Sequence, residues 1–349
     1  MLHTEAGMRT LLQKAFEMGA SDLHVSPGSP PVLRIDGVLT PLQEQVLSAE
    51  DIRGMAQAVM GTAERERFEA AGEVDFSTQL EGACRFRMNI FRQQHGAAIA
   101  ARLIPASVPD LAELGLPPVI RTLAHKPHGL ILVTGPTGSG KSSTLAALID
   151  HINQTQHKHI ITLEDPIEYI HGNRSSLIQQ REVGSDTASF AQGLRAALRQ
   201  DPDVILVGEL RDLETISAAV TAAETGHLVL GTLHTTDAPQ TIDRIIDAFP
   251  GHQQGQIRIQ LASVLNAIVS QRLLPRKSGK GRTCVTEIMI NTPAAANLIR
   301  SEKNHQIRNL MLTGRSLGMH TMDMSIREQL LSGVLDAKTA QPFLAEGGS

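Results

Sequence analysis

The stretch GPTGSGKSST, residues 135–144, puts Gly135, Gly140, Lys141 and Ser142 in the order G-x-x-x-x-G-K-S. That spacing is what a phosphate-binding loop requires. Glycines let backbone N–H groups close around a phosphate at the positive end of a helix. Gly135, Pro136, Thr137, Gly138, Ser139 and Gly140 would wrap the phosphates of ATP, and Ser143 joins the nucleotide contacts at the helix start. Lys141 can reach the β- and γ-phosphates, and the Ser142 hydroxyl can ligate Mg²⁺.

Hydrolysis needs carboxylates as well, to hold the metal shell and to activate water. ITLEDPIEYIH offers Glu164, Asp165 and Glu168, and VILVGELRD offers Glu209 just after four aliphatic residues. In a doubly wound sheet ligands bind beyond the carboxyl ends of the strands, which puts these acids on the same edge as the loop. His234, in GTLHTTD, also follows an apolar strand onto that edge.

The elements that position these residues are legible as a pattern. LILVTG, HIITLED, VILVGE and HLVLGTLH read as strands alternating with helices to about residue 275, the signature of a parallel sheet with crossover helices. From about 284 the chain reads as mainly helical, and the terminal LAEGGS is expected to fray. Residues 1–104 read as a mixed α and β domain. It has helices at MRTLLQKAFEMGA and AEDIRGMAQAVM, and strands in ASDLHVSPGSPPVLRIDGVLT, EVDFSTQL, CRFRMNIFRQQ and AAIAARLI. The proline-containing stretch 105–118 reads as an interdomain linker, and 119–349 as the nucleotide domain.

Composition narrows the function. The 349 residues carry 41 % hydrophobic and 19 % charged side chains and a net charge of −4, which opposes a standing attraction for nucleic acid or anionic lipid. With no Trp and one Tyr there is no aromatic platform for single strands. A nucleic-acid motor is therefore disfavoured, and the intact Lys141, Glu168 and Glu209 argue against a regulatory subunit without turnover. Cys84 and Cys284 can build neither a disulfide framework nor a multi-cysteine zinc site. No signal peptide and no membrane span is read, so a cytoplasmic protein is expected.

Four motifs in order, GPTGSGKSST, ITLEDPIEYIH, DPDVILVGELRDLETI and TGHLVLGTLHTTDA, resemble those of the secretion ATPase superfamily, the motors of type IV pili and type II secretion. ASDLHVSPGSPPVLRIDG is similar to that family's N-terminal domain, so the resemblance spans nearly the whole chain. It implies an α/β fold: a RecA-like P-loop nucleotide-binding domain preceded by a smaller α+β, PAS-like N-terminal domain. On the matching positions it implies that Glu168 polarises the attacking water and that Glu164 and Asp165 lie in the metal shell. Glu209 would be the Walker B acid, acting on Mg²⁺ through water. His227 and His234 match the histidine box, implying a role in sensing the γ-phosphate or the neighbouring subunit. Arg85, Arg87 and Arg102 match N-terminal positions that approach nucleotide, and Arg195 and Arg199 are alternatives for stabilising transition-state charge.

Assembly motors of the superfamily commonly carry a longer N-terminal region and a four-cysteine zinc module. Without them, this chain resembles the retraction branch, and GMHTMDMSIREQLLSGVLDAKTA is similar to it too. That branch has the signature Ala-Ile-Arg-Asn-Leu-Ile-Arg-Glu. Here AAANLIRS at 294–301 keeps Asn297, Leu298, Ile299 and Arg300 but has Ala296 and Ser301 in place of Arg and Glu, so an accessory retraction ATPase stays as the alternative. The resemblance implies a homo-hexamer at the inner-membrane face of the pilus machine. Its implied partners are the inner-membrane platform protein and a second retraction ATPase. It implies no direct nucleic acid contact, and membrane contact only through partners.

Overall fold

The structure is a computed structural model describing residues 5–345 apart from 36, 44, 81–83, 105 and 106. The first two positions of the expected linker and the last four residues of LAEGGS lie outside the described residues. The chain divides into two compact units, Met1–Ser107 and Val108–Ser349.

The N-terminal unit is built on β1 (Asp22–Val25), β2 (Val32–Ile35), β3 (Val38–Pro41), β4 (Glu73–Leu80), β5 (Cys84–Gln93) and β6 (Gly96–Ile104). They form one sheet in the order β3-β2-β1-β6-β5-β4, with every neighbouring pair antiparallel. Alternation sets the inner face: Cys84, Phe86, Met88 and Ile90 of β5 are buried, while Arg85, Arg87 and Asn89 between them are half-buried. Helices Glu5–Glu17 and Ala49–Val59 supply Met8, Leu11, Leu12, Ile52 and Met55 to the same core. The second of these starts in a capping box, in which Ser48 accepts from Asp51 N and the Asp51 carboxylate accepts from Ser48 N. A third helix, Thr62–Ala71, has no apolar stripe to announce it; of its residues only Phe68 is buried.

The C-terminal unit holds β7 (Gly129–Thr134), β8 (His159–Glu164), β9 (Leu177–Glu182), β10 (Val204–Val207), β11 (Leu228–Leu233), β12 (Leu265–Pro275) and β13 (Arg282–Ile290). The order is β13-β12-β7-β11-β10-β8-β9, parallel throughout except for the antiparallel edge pair β12–β13. Every residue of β7, β10 and β11 is buried, as both faces of a parallel sheet are covered. On one face Ile131 and Val133 pack with Leu145, Leu148, Ile149 and Ile152 of helix Lys141–Thr155. On the other, Leu130 and Leu132 share a core with helices Leu213–Glu224, Ala238–Asp247 and Gly251–Val264.

Two expectations are corrected. Leu111 and Leu116, in the stretch read as a linker, are buried in the core of the C-terminal unit, so proline content there marks a packed lead-in rather than a free tether. The region read as mainly helical from about 284 begins with most of β13; RTCVTEIMI is buried almost throughout, so it lacks the polar–apolar alternation by which a strand is read. The helices Pro293–Arg300, Ile307–Thr313, Met322–Leu331 and Ala337–Ala345 follow it. Among the described residues no helix is long and apolar enough to cross a membrane.

Candidate active site

The phosphate loop leaves β7, which lies between β11 and β12, and Thr134 at its end pairs with Leu233 and Ser270. The loop is seated on β12. Gly135 has φ 142° and Gly140 φ 88°, conformations that favour glycine. A side-chain carbon at Gly135 would collide with the Gln271 carbonyl oxygen, and one at Gly140 would press on the Gln271 amide nitrogen at 3.2 Å. Gln271 is itself buried, and its Nε2 donates to the Ser139 carbonyl at 2.7 Å. Beside it the Thr134 and Ser270 hydroxyls share a 2.8 Å hydrogen bond. Gln271 was not anticipated from the sequence; an amide inside the apolar run LNAIVSQRLLP was its one signal.

Lys141 opens helix Lys141–Thr155, and its ammonium donates to the carbonyls of Gly135 at 2.7 Å and Pro136 at 3.1 Å. Burial holds its pKa down, while the charges of Glu209 and Glu168 act in the opposite direction. Thr137 and Ser142 are exposed, and Ser143 is half-buried.

Glu209 lies two residues past β10. The chain curls over β11 there: Leu210 N donates to the Thr232 carbonyl at 3.0 Å. This brings the Glu209 carboxylate to Arg211 Nε at 2.7 Å and to His234 Nε2 at 3.2 Å. His234 is thus where the sequence put it, and Arg211 is an addition.

Glu164 closes β8 and turns onto its own loop, accepting from Thr162 Oγ1 at 2.6 Å and Gln180 Nε2 at 3.1 Å. Burial raises its pKa against those hydrogen bonds. Asp165 and Glu168 are exposed on the loop that follows.

His227 stands apart from the other site candidates. It precedes β11 whereas His234 follows it, a separation of about 20 Å at the rise of an extended strand. Its ring Nδ1 lies 2.9 Å from the carbonyl of Ala222 and its backbone carbonyl accepts from Gly129 N, so it is a connector on the edge opposite the phosphate loop. Of the arginines, Arg102 Nε donates to Asp22 at 2.8 Å and Arg87 pairs with Asp75 at 3.7 Å, both within the N-terminal sheet. Arg195 pairs with Glu214 at 3.0 Å, and Arg199 donates to the Arg195 carbonyl at 3.1 Å.

The residues present fit ATP. The glycines at 135 and 140 let the loop close down on β12 with its backbone bare of side chains there, and the buried Ser139 Oγ has no partner. They fit Mg²⁺ of the kind held chiefly by phosphate oxygens: among the described residues no group of three or more His, Cys, Asp or Glu could cage a metal ion, and the exposed Ser142 hydroxyl is the protein ligand at hand.

A mostly parallel sheet whose inner strand feeds a phosphate loop, with acids past the ends of other strands on that edge, is the design of the RecA-like ATPases. The chain belongs to the Type II/IV secretion system protein family, whose profile matches residues 4–340. It is 47 % identical over 331 residues to the type IV pilus retraction ATPase PilT of Pseudomonas aeruginosa, covering 95 % of this chain and 96 % of that one. It is 41 % identical over 330 residues to the type IV pilus ATPase PilU of the same organism, covering 95 % and 86 %. A crystal structure of the pilus retraction motor PilT with bound ADP superposes with a TM-score of 0.90 at 48 % identity, covering 96 % of each chain.

Proposed function

We propose that this chain is an ATP-hydrolysing motor that retracts type IV pili. It works as a homo-hexamer at the cytoplasmic face of the inner membrane and passes force to the platform protein, withdrawing pilin subunits from the fibre. What carries this reading is end-to-end likeness to a retraction ATPase in both sequence and fold. An intact hydrolytic set of side chains accompanies it.

The loop amides and Lys141 bind the phosphates of ATP. Mg²⁺, held by Ser142 with Glu209 and Asp165 acting through water, would neutralise charge on the phosphate oxygens. Glu164 keeps the Glu168 loop in place through its hydrogen bonds. Glu168 accepts the proton of the attacking water as its oxygen bonds to the γ-phosphorus and the bond to ADP breaks. His234 and Arg211 hold the Glu209 carboxylate in position.

Ala296 and Ser301, where the retraction signature has Arg and Glu, favour a second reading as an accessory retraction ATPase. Against it stands the lower identity to PilU. Surface pili and twitching in cells lacking the gene decide. Excess pili without twitching, restored by the wild-type gene and not by Glu168→Gln, is the expected result. Bald cells would overturn retraction, and near-normal pilus numbers with impaired movement would select the accessory reading.

A further inference from the structure

Tyr169 directly follows Glu168, and its hydroxyl shares a 2.8 Å hydrogen bond with Ser143 Oγ. Ser143 sits in the first turn of helix Lys141–Thr155, next to Ser142. Other bonds hold this loop to the sheet. Gln180 Nε2 donates to the Tyr169 carbonyl at 2.8 Å, Gln180 Oε1 accepts from His171 N at 2.8 Å, and Glu182 Oε2 accepts from Ile167 N at 3.2 Å. The phenol alone among these contacts reaches the turn that carries the phosphate-binding residues. Glu168 lies between the two sets of anchors. Its N–H is a long 3.5 Å from Glu164 Oε2, and its exposed carboxylate receives no hydrogen bond from the described residues. Where that carboxylate stands is therefore set by its neighbours in the chain.

We infer that Tyr169 is a positioning residue: through its bond to Ser143 it fixes the reach of Glu168 toward the γ-phosphate and couples that reach to the nucleotide held by the loop. The inference rests on the reading of Glu168 as proton acceptor. A nucleotide drawing on the helix N-terminus acts on Ser143, and the phenol carries the displacement to the residue beside Glu168. A misplacement of about 1 Å at a reacting group costs up to about 10² in rate, so a lost tether is felt in turnover more than in binding.

The test combines kinetics with an optical signal that this chain supplies. With no Trp and one Tyr, tyrosine emission comes from residue 169 alone. Tyr169→Phe keeps the ring and removes the hydroxyl; kcat should fall about tenfold with KM changed less than twofold, in line with a modest misplacement. Ser143→Ala should also lower kcat, and the double variant should be no worse than either single one. Saturating ADP should change Tyr169 emission in the wild type but not in Ser143→Ala. Wild-type kcat in Tyr169→Phe, additive single effects, or an ADP response that survives in Ser143→Ala would each overturn the tether. Glu168→Gln is run beside them. An undiminished rate there overturns the reading of Glu168 itself, while the emission response still judges the Tyr169–Ser143 bond separately.

Discussion

Glu287 on β13 is a buried carboxyl group outside the hydrolytic set. Its Oε1 accepts from Ala238 N at 2.9 Å, and the backbone of Met322 is a second partner, so one side chain joins the starts of helices Ala238–Asp247 and Met322–Leu331. Burial pushes its pKa up to about 7, with the Asp237 charge adding to the rise and the two backbone hydrogen bonds opposing it. A carboxyl group raised in the folded state binds its proton more tightly there than in the unfolded chain. Its contribution is therefore fully present below the ordinary glutamate range and lost as pH rises through about 7, a difference of about 3 kcal/mol. Glu287→Gln should flatten the dependence of unfolding free energy on pH between about 4.5 and 7. Denaturant titrations at several pH values measure that slope; an unchanged slope would remove Glu287 as its source. At this scale the sequence revealed positions that follow from chain order: Glu209 and His234 stand just past apolar strands, and Lys141 and Ser142 open the helix after the phosphate loop. His227 was grouped with His234 by the histidine box alone, and a motif does not say that its two histidines stand at opposite ends of β11. The sequence was silent on Gln271, Gln180 and Arg211, because their partners depend on how the chain pairs or curls.

Among elements, β12 does the most for the nucleotide site while contributing none of its motif residues. Its Gln271 supports Ser139 from below, and its backbone sets how closely Gly135 packs. Gln271→Leu keeps the volume and removes the amide. Losing one buried hydrogen bond and leaving the Ser139 carbonyl unpartnered costs about 1–3 kcal/mol, so ADP should bind about tenfold more weakly or worse, measured by calorimetry, with the fold retained. Unaltered affinity would show that the loop holds its shape without that strand. The motif-bearing strands β7, β8, β10 and β11 were legible because their apolar runs are short and flanked by turn signals. The edges of the sheet were harder. LIQQRE in β9 is mostly polar, and RTCVTEIMI in β13 has no alternation because both its faces are covered. Helix Thr62–Ala71 escaped notice because one buried phenylalanine makes no period.

On the scale of the whole molecule, the two units have separate cores, one on an antiparallel sheet and one about a mostly parallel sheet, and the change of pattern that separates them is visible in the sequence. The seat of the phosphate loop also imposes an order in time. Ser139 and Gln271 are 132 positions apart, and β12, which flanks β7 on one side, follows every motif of the hydrolytic set along the chain. During synthesis the loop emerges long before its support does; at about 5–20 residues per second the wait is roughly ten seconds. A nascent chain stalled before β12 leaves the ribosome should fail to be labelled by a photoreactive ATP analogue, although Lys141, Glu168, Glu209 and His234 have all been made. Labelling should appear once Gln271 has cleared. The motor's first encounter with fuel is thereby held back until its C-terminal sheet edge exists.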